Sequence, residues 1–498
     1  MSKPIQKNKL QSNKLESKLE QFLVQVFANK KLKRPTLLLA FSGGLDSTVL
    51  LNLLANLRHT LNFDLSAAHI HHGLSNHADD WAEFCLVSCS TLNLPLEIIY
   101  VKIPIDNDLG IEAAARQLRY DALFKSHADY ICVGHHEDDQ AETLLLQLAR
   151  GAGVKGLSAM AAIDDQRRIL RPLLNTSRAD LLDYAQQNNL TWIEDESNQN
   201  TKFDRNFIRH NILPVLNTRY PAIAKTLTRS AAHLAEAAVL LDDLAALDAQ
   251  QALVSDALSI ASLQAMSSNR ARNLLRWWIA RRYQVMRIGM SLETSMSIDL
   301  VSVDSTSRDI VHNNLVPSNL LPSTEQLAQI LGQLAYAKAD AQVEITLVST
   351  VQNMISIRRY QGFAYLINMP KLDPQNYHIL WQGESSLTLP DSSQLTFTQQ
   401  LGMGLALKRL NIQKLRIHYR QGGERFKPAE NRPTRTLKHL LQETNMPPWQ
   451  REWLPLIYAD EKLAFVPDLG VAAAMQAQEG ETGYVIKWLK NEYSGGCT

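Results

Sequence analysis

Between Thr36 and Arg150 short apolar runs alternate with amphipathic stretches, and this alternation constrains the fold more than any other feature of the chain. TLLLAF (36–41), LSAAHI (65–70), LEIIYV (96–101) and YICVG (130–134) have the length and apolar character of buried strands. Residues 77–92, 111–127 and 138–150 instead space their apolar side chains as helices do. Strand and helix in alternation predict parallel βαβ units, hence an α/β fold with a doubly wound parallel sheet. Such sheets bind ligands beyond the carboxyl ends of their strands, so the residues after each apolar run are the functional candidates.

The remainder of the chain changes character twice. AAHLAEAAVLLDDLAALDAQQAL and NRARNLLRWWIARRY are helical in period, and a Ser/Asn/Met-rich stretch at 288–322 interrupts them as a surface insertion. After Val343 the segments VEITLV, MISIRR, FAYLINM, SSLTLP and LTFTQQ are short and turn-bounded, and one helix is expected at 434–444. A chain of 498 residues accommodates about three domains. The expected division is a basic N-terminal extension (1–34), the α/β domain (35–215), a helical domain (216–340) and a smaller mixed α/β C-terminal domain (341–498).

Composition narrows the function classes. With 51 Lys+Arg against 50 Asp+Glu the net charge is +1, which argues against indiscriminate coating of nucleic acid. Two segments depart from balance: residues 1–34 carry nine basic and two acidic residues, and residues 416–451 carry eight and three. The first reads as solubilising charge, the second as a surface able to meet phosphate. No apolar stretch nears the roughly 20 residues needed to span a bilayer, and the N-terminus lacks the apolar core of a secretory signal. Four cysteines (Cys85, Cys89, Cys132 and Cys497) without CxxC or metal-ligand spacing suit a cytoplasmic protein.

The strongest local motif is Ser42-Gly43-Gly44-Leu45-Asp46-Ser47, between the first strand and its helix. Two glycines let the backbone turn its N–H groups inward, two serines add hydroxyls, and the helix presents its positive end, so the hexad is suited to phosphate or pyrophosphate. It lacks the lysine of a Walker A loop, so neutralisation is expected from Mg²⁺, with Asp46 on the metal side or orienting. His69-Ile70-His71-His72 follows the second strand, and a zinc site is not expected there. Glu112, Arg116 and Arg119 share a helical face, either as an ion-pair ladder or as a source of the charge the loop lacks. His135, Asp139 and Glu142 are expected on one face of the next helix, where clustered carboxylates require a cation, and a bound amine is one that fits.

The hexad resembles the SGGxDS signature of the PP-loop ATP pyrophosphatases. HHEDDQAETLLLQLARGAGVKGLSAM, RPLL (171–174) and EDESNQNTKFDRNFIRH (194–210) narrow the resemblance to the tRNA(Ile)-lysidine synthase family. It resumes in RQGGERFKP (420–428), LKHLLQE (437–443) and PPWQREWLPLIY (447–458). What the resemblance implies is ATP-dependent adenylation of the C2 oxygen of the wobble cytidine in the CAU-anticodon isoleucine tRNA, then attack by the lysine amine and loss of AMP. Lysidine results, and decoding changes from AUG to AUA.

Under that resemblance Ser42, Gly43, Gly44, Leu45, Asp46 and Ser47 hold ATP, with His69 near the adenine. Asp46, Arg116 and His135 are the catalytic candidates, Arg116 for charge on the transferring phosphate and His135 to orient groups or take a proton from the ammonium. Asp139 and Glu142 hold lysine. Asp195, Asn198, Arg205, Asn206 and Arg209 close the domain, the arginines either touching RNA or folding onto an acid as a latch. Arg420, Arg425, Lys427, Arg435 and Lys438 are the expected tRNA contacts, with Arg432 beside them. Trp449 and Trp453 are expected in the core. Arg270, Arg272, Arg276, Arg281 and Arg282 offer a second RNA surface. The implied partners are the tRNA and lysine, with ATP and Mg²⁺ and no membrane, and a homodimer is left open. The rival readings are a PP-loop tRNA thiolase, an amidating ligase and a non-catalytic RNA-binding module. Thiolation needs reactive cysteines, and Cys85 and Cys89 are expected on a helix away from the strand ends.

Overall fold

The computed structural model describes residues 4–73, 75–102, 111–294, 321–338, 341, 343–349, 353–406 and 415–490. They divide into two compact units, one within residues 1–241 and the other from residue 242 onward.

The first unit holds β1 (Thr36–Ala40), β2 (Asp64–His71), β3 (Leu96–Tyr100) and β4 (Tyr130–Cys132), each within a residue or two of its apolar run. Their order in the sheet is β3-β2-β1-β4, followed by β6 (Ile169–Leu170) and then the edge strand β5 (Ile163–Asp164). All pairs are parallel except β5 with β6. Successive residues of β1 face opposite sides. Leu37 and Leu39 enter one core with α2 (Leu45–Leu57), α3 (Ala78–Thr91) and α7 (Arg178–Gln187). Leu38 enters the other with Leu123 of α4 (Ile111–Leu123) and Ile131 of β4. The sheet is thus doubly wound, as its alternation predicted. The chain leaves β1 toward β2 on one side and returns to β4 on the other, so the crevice for a ligand opens between the ends of β1 and β4.

Residues 1–34 are not the solubilising extension expected from their charge. Pro4–Asn29 forms a helix, α1, and Leu15, Leu19, Leu23, Val26 and Phe27 are buried in the first of these cores. Their spacing of three and four is an apolar stripe diluted by lysines on the outer face.

The second unit departs from the expected division. The long helix α10 (Ile223–Ala252) leads into β7 (Leu253–Val254), β8 (Ala257–Ser259), α11 (Ile260–Ala265) and α12 (Ser268–Thr294). α13 (Thr324–Tyr336) precedes β9 (Glu344–Ser349), β10 (Asn353–Tyr360) and β11 (Phe363–Pro370). β8 pairs with β11, Ala364 opposite Leu258, in a five-stranded sheet ordered β7-β8-β11-β10-β9. Strands on both sides of residue 341 therefore share one sheet, and the boundary placed there is displaced toward the C-terminus. α12 continues to Thr294, covering the first seven residues of the expected insertion; positions 295–320 of that insertion lie outside the described residues.

The chain ends in a five-stranded and a four-stranded sheet whose shared core includes Trp381, Leu395, Phe397, Ile417, Ile457 and Ile486. The helix expected at 434–444 occupies Leu437–Glu443. Trp449 and Trp453 are buried among Tyr365, Met369 and Tyr419. Among the described residues no helix is long and apolar enough to cross a membrane.

Candidate active site

The hexad forms the turn from β1 into α2. Gly43 has φ +81°, a conformation that favours glycine, and a Cβ there would displace Ile193 Cδ1, which would lie 2.5 Å away. Gly44 begins α2 without a side-chain cap, which leaves the first-turn N–H groups available to an anion. Ser47 Oγ donates to the Gly44 carbonyl (3.0 Å) and lies 3.0 Å from Ser42 Oγ, and Thr48 Oγ1 donates to the Gly43 carbonyl (3.2 Å). Ile193 N–H donates to the Gly43 carbonyl (2.9 Å), clamping the loop from the far side.

The loop after β4 meets this turn. A Cβ on Gly134 would stand 3.1 Å from the Asp46 carbonyl carbon and the Ser47 nitrogen, so only glycine allows the approach. Asp46 Oδ1 is buried with no hydrogen-bond partner, and burial raises the carboxyl above its ordinary value against the opposing pull of His136. A buried carboxylate oxygen left without a partner is a place for a cation. Among the described residues no three His, Cys, Asp or Glu side chains cluster as a metal cage. Asp46 therefore suits a divalent ion held mostly by phosphate oxygens.

His69 takes a different position from the one expected. Its ring is buried, with Nδ1 3.0 Å from the Phe41 carbonyl and 3.4 Å from Cys85 Sγ. Held there, it supports the strand end beneath the loop. The unpartnered histidine at this strand end is His72, both of whose ring nitrogens are buried without a partner. Burial, with Arg119, His69 and His71 adding to it, pushes His72 down to about 4, so it is neutral at physiological pH. The side chain of Glu112 lies outside the described residues. Arg116 is exposed on α4 with its guanidinium 5.4 Å from the centre of the Tyr120 ring.

α5 (Glu137–Ala149) starts two residues after His135, so His135 does not share a helical face with Asp139 and Glu142 as expected. Burial pushes His135 down to about 3; Asp139 opposes this, while Arg171, Arg205 and Arg116 reinforce it. Burial thus disfavours the protonated ring, which favours the orienting role over the proton-accepting one. Its Nδ1 is buried and unpartnered.

Asp139 and Glu142 do share the inward face of α5, and both are neutralised from within the chain. Arg205 donates from Nε to Glu142 (2.7 Å) and from Nη2 to Asp139 (2.9 Å). Arg209 donates from Nε to the other Glu142 oxygen (2.6 Å) and from Nη2 to Asp139 (3.1 Å). Glu142 is fully buried, and the arginine side chains are 23% and 30% exposed. Burial would raise Asp139, but His136, Arg205 and His135 outweigh it and hold the carboxyl at about 2. Of the two forms expected of Arg205 and Arg209 the structure adopts the latch, and neither guanidinium is displayed for RNA.

Two residues escaped the reading of the sequence. Arg171 is buried after β6 with Nη1 donating to the Ala161 carbonyl (2.8 Å) and Nε unpartnered. His136 is the N-cap of α5; the spacing His-x-x-Asp, a reciprocal cap, was the available signal.

The three described cysteines are poorly suited to sulfur transfer. Cys85 lies by the hexad, contrary to expectation, where a Cβ on Gly43 would stand 3.2 Å from its sulfur. Burial nevertheless pushes the thiols of Cys85, Cys89 and Cys132 up to about 12, 11 and 12. Cys497 lies outside the described residues.

In the C-terminal segment Arg425, Arg432, Arg435 and Lys438 are exposed, and Arg435 pairs with Glu443 at 2.8 Å. Arg420 and Lys427 are half-buried, Arg420 Nε lying 3.7 Å from Glu424. On α12 Arg281 is exposed over Trp277, whereas Arg282 is buried against Asp256, and Arg270, just after the helix start, pairs with Asp248. Arg282 is thus withdrawn from the RNA surface expected of it, whereas Arg270 and Arg281 remain exposed.

Comparison with known proteins places this geometry in context. Residues 11–216 match a PP-loop domain, residues 258–288 and 315–365 a TilS substrate binding domain, and residues 415–488 a TilS substrate C-terminal domain. The chain is 39% identical over 458 residues to a tRNA(Ile)-lysidine synthase of Nitrosomonas europaea, covering 91% of each chain. It is 36% identical over 455 residues to one from Coxiella burnetii, covering 90% of this chain and 92% of that one. A solved U34-tRNA thiolase from Methanococcus maripaludis aligns with 45% of this chain and 80% of its own at 17% identity, with a TM-score of 0.38.

Proposed function

The chain belongs to the tRNA(Ile)-lysidine synthase family, and from that premise we propose how its residues divide the ligation of lysine to C2 of the wobble cytidine in the CAU-anticodon isoleucine tRNA. The observation that carries the proposal is the meeting of two loops at the switch point of the sheet. There the unpartnered Asp46 Oδ1 and the open first turn of α2 stand beside the Asp139–Glu142 cluster of α5.

Ser42, Gly43, Gly44, Leu45 and Ser47 receive the pyrophosphate portion of ATP through backbone N–H groups and hydroxyls. Asp46 would hold Mg²⁺, which supplies charge neutralisation for the leaving pyrophosphate. Arg116, exposed on α4, stabilises charge on the phosphate being transferred to the cytidine oxygen. Joining that oxygen to AMP turns a poor leaving group into a good one, and the lysine amine then displaces it at C2. His135 orients the reacting groups as a neutral ring. Asp139 and Glu142 attract the ammonium groups of lysine, and Arg205 and Arg209 hold those carboxylates in place until it arrives.

Arg420, Arg425, Lys427, Arg435 and Lys438 bind the tRNA backbone, which carries no base information and so positions the anticodon loop for entry of an unstacked wobble base. A cytoplasmic setting fits this substrate. The test is incorporation of radiolabelled lysine into unmodified CAU-anticodon isoleucine tRNA. The expected result is labelled tRNA and AMP only when ATP is present; incorporation of sulfur, or labelling without AMP release, overturns the proposal.

A further inference from the structure

His136 has no part in that division of labour, yet its ring is 3% exposed and stands between the two carboxylates on which the reaction depends. Its Nε2 lies 3.6 Å from Asp46 Oδ2 and 3.6 Å from Asp139 Oδ2. The other ring nitrogen, Nδ1, accepts the backbone N–H of Asp138 at 3.2 Å, and the His136 N–H donates to Asp139 Oδ2 at 3.0 Å. A nitrogen that accepts an N–H carries no proton, so the cap dictates the tautomer and leaves the ring proton on Nε2, facing both acids. A cap needs only an acceptor, which Ser, Thr, Asp or Asn supplies with fewer atoms. Histidine differs from these in having a second nitrogen on the far side of the ring.

The geometry points to His136 as a positioning residue that ties the carboxylate of the nucleotide loop to the carboxylate of the amine subsite. Asp46 is on the first turn of α2 and Asp139 on the first turn of α5, two helices that follow different strands. The close approach of Gly134 to the Asp46–Ser47 backbone brings the turns together, and the Nε2–H group fixes the separation of their acids. At 3.6 Å neither contact is yet a hydrogen bond; the N–H faces both acids at charge-pair distance, and such contacts tighten when substrates fill a site. The consequence is that the amine reaches the activated C2 at the correct distance, a matter in which an error of about 1 Å costs on the order of 100-fold. This inference rests on the assignment of Asp46 to the nucleotide and Asp139 to lysine.

Two substitutions separate the ring's two nitrogens. His136→Asn places an acceptor where Nδ1 stands and nothing where Nε2 stands; His136→Gln reaches the Nε2 position with an N–H donor and gives up the cap. His136→Asn is expected to melt within about 1 °C of wild type while its kcat for lysine transfer falls roughly 10- to 100-fold, with KM for tRNA unchanged. His136→Gln is expected to melt about 2–4 °C lower and to recover most of that kcat. Wild-type activity in the same assay tests the underlying reading separately. If His136→Asn keeps near-normal kcat, or if kcat follows the melting temperature in both variants, the histidine is only a cap and the inference fails.

Discussion

Arginine serves opposite purposes in two regions of this molecule. At the carboxyl end of the N-terminal sheet, Arg205 and Arg209 direct their guanidinium groups at Glu142 and Asp139, in contacts of 2.6 to 3.1 Å. In the C-terminal segment Arg425, Arg432 and Lys438 stand in solvent. The first arrangement is largely buried and held by several contacts, so salt screens it less and its loss is felt as misplacement or unfolding. The second is adaptable and screened, and its loss is felt as weaker attraction to a polyanion. Chemistry at a single cytidine atom needs the former, and holding a tRNA backbone needs the latter.

The comparison is broken most severely if the buried site proves dispensable. Asp46→Ala is expected to lower turnover at least about 1000-fold, or about 4 kcal/mol in transition-state stabilisation, with tRNA affinity close to wild type in a filter-binding assay. Retention of substantial turnover would move the nucleotide away from the hexad. Glu142→Gln removes the buried charge that both arginines share, and a loss of about 3 kcal/mol in urea unfolding is expected alongside weaker lysine binding. An unchanged midpoint would make the latch an ornament of the surface.

The exposed charges sharpen the contrast from the other side. Arg425→Ala combined with Lys438→Ala should leave the melting temperature unchanged and weaken tRNA about tenfold at low salt. The slope of log affinity against log salt should become shallower by about 0.7 to 0.9 per charge removed. Equal weakening at all salt concentrations would show that these residues act through structure. The smallest effect is on acid stability. A carboxyl held below its ordinary value stabilises the fold above that ordinary value and loses the contribution as pH falls through the folded one. For Asp139 the window runs from about pH 4 down to about pH 2. Asp139→Asn should therefore give a flatter acid limb in pH-dependent unfolding.

The same contrast explains what the sequence disclosed. β1, β2 and β4 were legible because a strand covered on both faces reads as an apolar run, and the hexad was legible because its glycines and serines are close together. Leu15, Leu19, Leu23, Val26 and Phe27 were hidden by the lysines that share their helix. The pairing of Leu258 with Ala364 joins positions more than a hundred residues apart, and no local pattern announces such a pairing. At the site, Asp139 and Glu142 were found through helical spacing. His135 and His136, in contrast, straddle the junction between strand and helix, where neither period holds. Their opposite fates, one a neutral ring before the helix and one a cap between two acids, are set by three-dimensional neighbours.

Activation of the cytidine as proposed requires the turn at residues 42–47 to hold the triphosphate that is cleaved. A crystal structure with a non-hydrolysable ATP analogue and Mg²⁺ tests it most directly. The expected density places phosphate oxygens within hydrogen-bond distance of the Gly44–Ser47 backbone and the metal against Asp46 Oδ1. A triphosphate bound anywhere else on the chain would contradict it.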